Sequence, residues 1–274
     1  AVLRRIGRTA EAVRVAEVAL KIDPLDVRAL AERWLAAKDP SAEKQLQAAV
    51  NEHPASGLEA AVEHASAGLW EDGTALLTKM TGERASPLVY YYLGYFAEKL
   101  SRKEQAQQYW RRAAQAPPEY VFPFQHEAIA VLQRARAANP GDARAPYYLG
   151  NLLYDWQPEA AVKLWEQSRA IDGSFPIVHR NLAVAYARQE NALEKAIASL
   201  ERAVSLGGQY AIHFFELDQL YEAAGTAPAK RLAMLEKYHS TVLQRDDATA
   251  REVALKVNMG KYDEALELMK GRRF

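Results

Sequence analysis

A recurring spacing constrains this chain more than any other feature. In YYYLGYFAEKLSRKEQAQQYWRRAAQAPP, Tyr90, Leu93, Gly94 and Ala97 follow the order large-x-x-Leu-Gly-x-x-small, and Ala106, Trp110, Ala113 and Pro118 come after them. Residues three and four apart share one face of a helix. Each half therefore reads as a helix, and the two halves as a pair. Gly94 and Ala106 are small where the two helices cross closely. Tyr90, Leu93 and Trp110 fill the space beside the crossing. Pro118 cannot continue a helix and separates one pair from the next.

The same frame accommodates most of the chain. Gly7, Ala12, Ala16, Ala19 and Pro24 match the second half of a unit. Leu30 and Trp34 mark a degenerate first helix ahead of Ala42, Leu46, Ala49 and Pro54. Gly68, Gly73 and Leu77 form a weaker copy. Leu149, Gly150 and Leu153 precede Ala161, Trp165 and Ser168; Leu182, Ala183 and Tyr186 precede Ala196, Leu200 and Ala203. Leu217, Tyr221 and Gly225 open another copy, and Gly260, Ala265 and Met269 lie in a last one. The interval from Leu93 to Leu149 is not a multiple of the ~34-residue period. Its excess, PPEYVFPFQHEAIAVLQRARAANPGD, holds Ala128, Leu132, Ala135 and Pro140 at second-helix spacing. No full first helix precedes them, because Pro118 and Pro123 bracket only a few residues. This predicts an irregular break at 118–123 and a lone helix near 124–138.

This pattern resembles the tetratricopeptide repeat, with Tyr90 where that motif has Trp and Trp110 where it has Phe. The resemblance implies an all-α, right-handed superhelical solenoid of helix hairpins over residues 1–274, with incomplete units at both ends. AVLRRIGRTAEA reads as the middle of a hairpin, so the chain is taken as a piece of a longer protein. More narrowly, APYYLGNLLYD, FFELDQLY and GKYDEALELM are similar to the C-terminal repeat region of large bacterial proteins of uncharacterised function, whose N-terminal domain is carbohydrate-related.

Composition excludes several function classes. Lys+Arg and Asp+Glu are both 35, giving a formal net charge of zero and no general electrostatic attraction for nucleic acid. There is no cysteine, hence no disulfide, thiolate metal site or cysteine nucleophile. No apolar run approaches the ~20 residues a bilayer requires. A cytoplasmic location is favoured, and neither a membrane nor a nucleic acid is expected as a partner.

Motifs for chemistry are equally sparse. HEAIA at 126–130 lacks the second histidine of a zinc-protease helix, since Ala130 stands there. His179 and His213 fall at equivalent packing positions and read as core residues. Asp246 and Asp247 read as a helix N-cap. Asp218 takes the place of the usual glycine and is expected to hydrogen-bond across the helix crossing. The Gly207–Gly208 pair closes a helix. Arg111–Arg112 and Arg272–Arg273 read as solvated. No catalytic residue, metal or cofactor is expected.

The resemblance also implies that the first helix of each pair lines a concave groove. Residues flanking the Leu-Gly positions would point into it: Tyr91 and Tyr95, then Tyr147, Asn151 and Tyr154, then Arg180 and Arg188, then Phe215. The expected function is a non-catalytic module that binds a peptide segment or a partner domain there. Two alternatives use the same architecture. One is an accessory domain of a carbohydrate-active enzyme, docking it or stacking tyrosine on sugar. The other is a self-association scaffold, a homo-oligomer joined through uncapped ends.

Overall fold

A computed structural model describes residues 1–83, 85–118, 121–207 and 210–272. Among these residues every regular element is helical and there is no strand, so the all-α hairpin array expected from the spacing is the fold. The chain divides into two compact units, Ala1–Leu152 and Leu153–Phe274.

The first unit contains α1 Val2–Arg5, α2 Thr9–Ile22, α3 Val27–Ala37, α4 Pro40–Glu52, α5 Pro54–Ser66, α6 Trp70–Thr78, α7 Pro87–Lys99, α8 Lys103–Gln115, α9 Ala128–Ala138 and nearly all of α10, Arg144–Leu153. Antiparallel neighbours pack in sequence: α3 on α4, α5 on α6 and α7 on α8. The second unit contains α11 Pro158–Ile171, α12 Pro176–Ala187, α13 Leu193–Ser205, α14 Ala211–Ala223, α15 Pro228–Lys237, α16 His239–Val242, α17 Asp246–Asn258 and α18 Tyr262–Met269. There α12 packs on α13, α14 on α15 and α17, and α17 on α18.

Local chemistry sets these boundaries. Pro40, Pro54, Pro87, Pro158, Pro176 and Pro228 open their helices, where a missing N–H loses nothing. Asp26 caps α3 through the amides of Arg28 and Ala29, and Asp39 caps α4 through that of Ala42. Several turns inside hairpins use a left-handed residue. Gly68 (φ 77°) and Gly225 (φ 69°) supply it after α5 and α14. After α7 and α12, where glycine is lacking, Ser101 (φ 61°) and Asn191 (φ 57°) adopt it instead. Gly207 (φ 90°) closes α13 as expected; Gly208 and Arg273 lie outside the described residues.

Asp246 and Asp247 do not cap α17. They lie inside its first turn, where the helix dipole favours them, and Asp247 pairs with Arg245. The helix between pairs begins at Ala128 rather than near 124, because residues 121–127 form no helix around Pro123. It packs on α7 and α8 through Val131, Leu132 and Ala135.

The recurring pair is held by recurring contacts. Tyr186 donates its hydroxyl to Glu166 Oε1 at 2.7 Å, and Tyr221 donates to Glu201 Oε1 at 2.6 Å, each reaching back 20 residues to the preceding second helix. Burial and the Glu166 hydrogen bond push the Tyr186 phenol up to about 12, so it stays a donor.

One buried group in the first unit carries a charge that geometry dictates. His64 Nδ1 lies 2.7 Å from the Ala60 carbonyl oxygen and Nε2 lies 2.6 Å from Glu32 Oε1. Both partners only accept, so both ring nitrogens donate and His64 is an imidazolium. Arg4 joins the cluster between Glu32 and Asp72. Burial pulls the His64 pKa down, but the bonds to Glu32 and Ala60 and the Glu32 and Asp72 charges outweigh it, and the net shift is upward. A raised folded-state pKa adds stability in full below the ordinary histidine value of ~6.5, and this is lost as pH climbs through the raised value. Thermal melts between about pH 6 and 9 should therefore show the wild type losing stability relative to His64→Gln. Parallel curves for the two proteins would refute the assignment.

Candidate interaction surface

Three successive tyrosines on α7 each leave the helix in a different direction, and each finds an internal partner. The Tyr90 hydroxyl donates to the Gly82 carbonyl at 3.0 Å and accepts from the Gly82 amide at 3.2 Å. Tyr92 donates to Gln125 Oε1 at 3.2 Å, so the irregular segment between α8 and α9 covers it. Tyr91 is wholly buried and donates to Asp142 Oδ2 at 2.8 Å. The other oxygen of Asp142 accepts the amides of Arg144 and Ala145 at the start of α10. Burial raises the Asp142 pKa, and those three hydrogen bonds offset the rise only in part. Burial, then the Asp142 charge, holds the Tyr91 phenol well above its usual value.

These contacts correct the expected groove. Tyr91 was expected to face a ligand; the turn after α9 covers it instead. Tyr147 is buried as well, 6% exposed, with its ring 5.3 Å from that of Tyr148. Neither ring is open to a partner. The offset from the Leu-Gly pair indicates where a side chain leaves α7 or α10. It does not indicate which further element lies across it, and the inserted α9 supplies one for Tyr91.

The other expected contacts remain partly exposed. In the first unit, Tyr95 is half-buried, edge-on to Trp70 at 6.3 Å with Lys99 Nζ 5.0 Å from its ring, and Asn151 is half-buried. In the second unit, Arg180 is paired through both Nε and Nη2 with Glu216. Phe215 packs at the edge of a core cluster that includes Phe214, Leu232 and Leu235.

Tyr154 and Arg188 come together. They line one pocket of about 320 Å³ with Asp155, Glu159 and Gln189. The Tyr154 ring lies 4.9 Å from that of Trp165, which is buried and holds it in place. The Arg188 guanidinium sits 5.6 Å from the Tyr154 ring centre, a cation–π distance. Arg188 follows the last turn of α12 and is exposed. The pocket thus has an aromatic wall, one cation and two carboxylates. Sequence reasoning missed Asp155, Glu159 and Gln189. Their one available signal was adjacency to Tyr154 and Arg188 where α10 and α12 end.

Among the described residues no cluster of histidines and carboxylates is arranged to hold a metal ion, and no helix is long and apolar enough to cross a membrane. His179 and His213 are both buried, 5% exposed.

Several solved structures are similar to this chain, all at low identity. A crystal structure of MamA protein is 19% identical, covers 67% of this chain and 88% of its own, and has a TM-score of 0.45. Yeast Tom70 is 16% identical over 96% of this chain and 62% of its own, with a TM-score of 0.44. The Cut9–Hcn1 hetero-tetramer of the APC/C is 15% identical over 92% and 47%, with a TM-score of 0.41. No protein-family model and no curated protein matches the chain.

Proposed function

We propose that this chain is a non-catalytic interaction module that holds an extended peptide segment or a partner domain, with the Tyr154–Arg188 pocket as its principal contact. The observation that carries this reading is the pocket itself. A tyrosine backed by a buried tryptophan presents a large contact area already held in place, so little side-chain freedom is lost on binding. Arg188 is exposed at its edge, and tyrosine and arginine are the residue types that dominate binding energy at interfaces. Asp155 and Glu159 on the rim favour a segment that places a basic side chain beside an apolar one. Arg180 contributes less, because a ligand carboxylate would have to displace Glu216. Tyr95, Asn151 and Phe215 are secondary contacts, and Tyr91 and Tyr147 are not contacts.

Selection from a displayed peptide library on the wild-type chain should enrich segments of that kind. Tyr154→Ala and Arg188→Gln should each weaken the selected peptides by about tenfold or more. Far-UV circular dichroism should confirm that both variants stay folded. Peptides that bind both variants as well as wild type would remove this pocket from the reading.

A further inference from the structure

A second cavity, of about 410 Å³, lies in the groove between α11 and α13 and is floored by α12. It shares no lining residue with the Tyr154–Arg188 pocket. Its walls carry Arg169 from α11 and Lys195 and Arg202 from α13, the last two on one face of that helix. Among the described residues neither Lys195 nor Arg202 has an ion-pair partner. The one carboxylate in the lining, Glu166, accepts the Tyr186 hydroxyl. Three cations against one carboxylate leave a local surplus of two positive charges on a chain whose formal net charge is zero.

The floor is polar. Ser199 is 6% exposed and lines the cavity, yet its hydroxyl has no hydrogen-bond partner among the described residues. That hydroxyl is free to donate to a ligand oxygen in the cavity. His179 donates from Nε2 to the Gly173 carbonyl at 3.0 Å, which leaves Nδ1 as an acceptor. Burial lowers its pKa, as do the charges of Arg169 and Arg202; the Gly173 bond and the Asp172 charge raise it, and the net shift is downward. The guanidiniums therefore act on the floor of the cavity and not only on solvent.

We propose that this cavity binds a phosphoryl dianion, the phosphate monoester of a small molecule or of a phosphorylated side chain. The dianion matches the surplus charge. Arginine forks suit phosphoryl oxygens, with lysine adding a point charge and Ser199 a neutral donor. A carboxylate or sulfate monoester brings one negative charge and leaves half the surplus unmet. A nucleic acid would need a run of cations along a backbone, and the groove offers one cluster.

Isothermal titration of the full chain at low salt tests this with phenyl phosphate, phenyl sulfate, and a phosphoserine peptide beside its unmodified form. Phenyl phosphate should bind the wild type more tightly than phenyl sulfate. The Lys195→Gln/Arg202→Gln variant should bind phenyl phosphate at least about tenfold more weakly, as expected on losing two charge-assisted contacts. Both substitutions are on exposed side chains, so the variant should keep the wild-type melting temperature or exceed it. Ser199→Ala should weaken binding with Lys195 and Arg202 intact, and Arg188→Gln should leave it unchanged. A phosphopeptide that binds more tightly than phenyl phosphate assigns the site to phosphorylated side chains. Equal affinities assign it to a small phosphate ester. Absence of binding by every phosphate probe, or equal binding by wild type and the double variant, would overturn the proposal.

Discussion

Asp218→Ala is expected to destabilise the second unit by ~3–5 kcal/mol, the range seen when one member of a buried ion pair is removed. Asp218 is fully buried and stands on α14 where the repeat would ordinarily place glycine. Arg231 on α15 meets it with two parallel bonds, Nε to Oδ1 at 2.8 Å and Nη2 to Oδ2 at 2.9 Å. Arg251 on α17 reaches the same carboxylate, and both arginines also meet Glu222. One carboxylate thus joins three helices. Without it, Arg231 keeps its charge in a site only 9% exposed, with nothing but the exposed Glu222 to balance it. The melting temperature should fall by roughly 10 °C, and amide exchange should accelerate first in α15 and α17. Replacing Asp218, Arg231 and Arg251 together by apolar residues of similar volume should recover most of the loss, because the desolvation of all the charges disappears with them. A single variant as stable as wild type would show that the carboxylate is not what holds these helices.

Trp110→Ala should destabilise the first unit by a similar ~3–5 kcal/mol, the usual range for deleting a buried large aromatic. The indole is 2% exposed and lies flat on the backbone of α7 at Gly94. A Cβ built on Gly94 would stand 2.6 Å from the ring atom Cε3 and 2.7 Å from Cδ2. Gly94→Ala should therefore destabilise by ~1–3 kcal/mol through overpacking. The informative measurement is the double variant. With the indole gone, the added methyl enters vacated space, so the two losses should sum to less than their parts. Full additivity in chemical denaturation would mean that the two positions do not share that space. Trp110→Phe should be far milder than Trp110→Ala. It keeps an aromatic ring and removes an indole N–H that has no hydrogen-bond partner among the described residues.

Both variants act on positions that spacing alone singled out. Gly94 and Trp110 belong to one repeat, and a crossing of two helices admits only one arrangement of small and large residues. Asp218 was conspicuous as a charge where a small residue belongs, and its partner lies on the next helix of the same hairpin. The candidate site was less legible. Tyr154 and Arg188 come from adjacent pairs, each from just past the last turn of its first helix, and meet. Tyr91 shares its offset with Tyr147 and Arg180, but α9 and the turn after it intervene, and no periodic rule places an element that occurs once. The cavity between α11 and α13 left no signal. Arg169, Lys195 and Arg202 are ordinary surface residues in sequence and form a cluster only when two second helices lie side by side. Likewise, the charge on His64 follows from two acceptors, one a backbone carbonyl four residues back and the other Glu32 on α3.

Helix positions, hairpin pairing and the residues at each crossing follow from short-range spacing, because an α-helix converts intervals of three and four residues directly into faces. Which faces stay open to a ligand does not follow from it. Exposure depends on elements distant in the chain, on the inserted helix above all, and on whether a charged or polar side chain ends beside a partner or at the edge of a cavity. Those outcomes are set by long-range packing, which local periodicity does not encode.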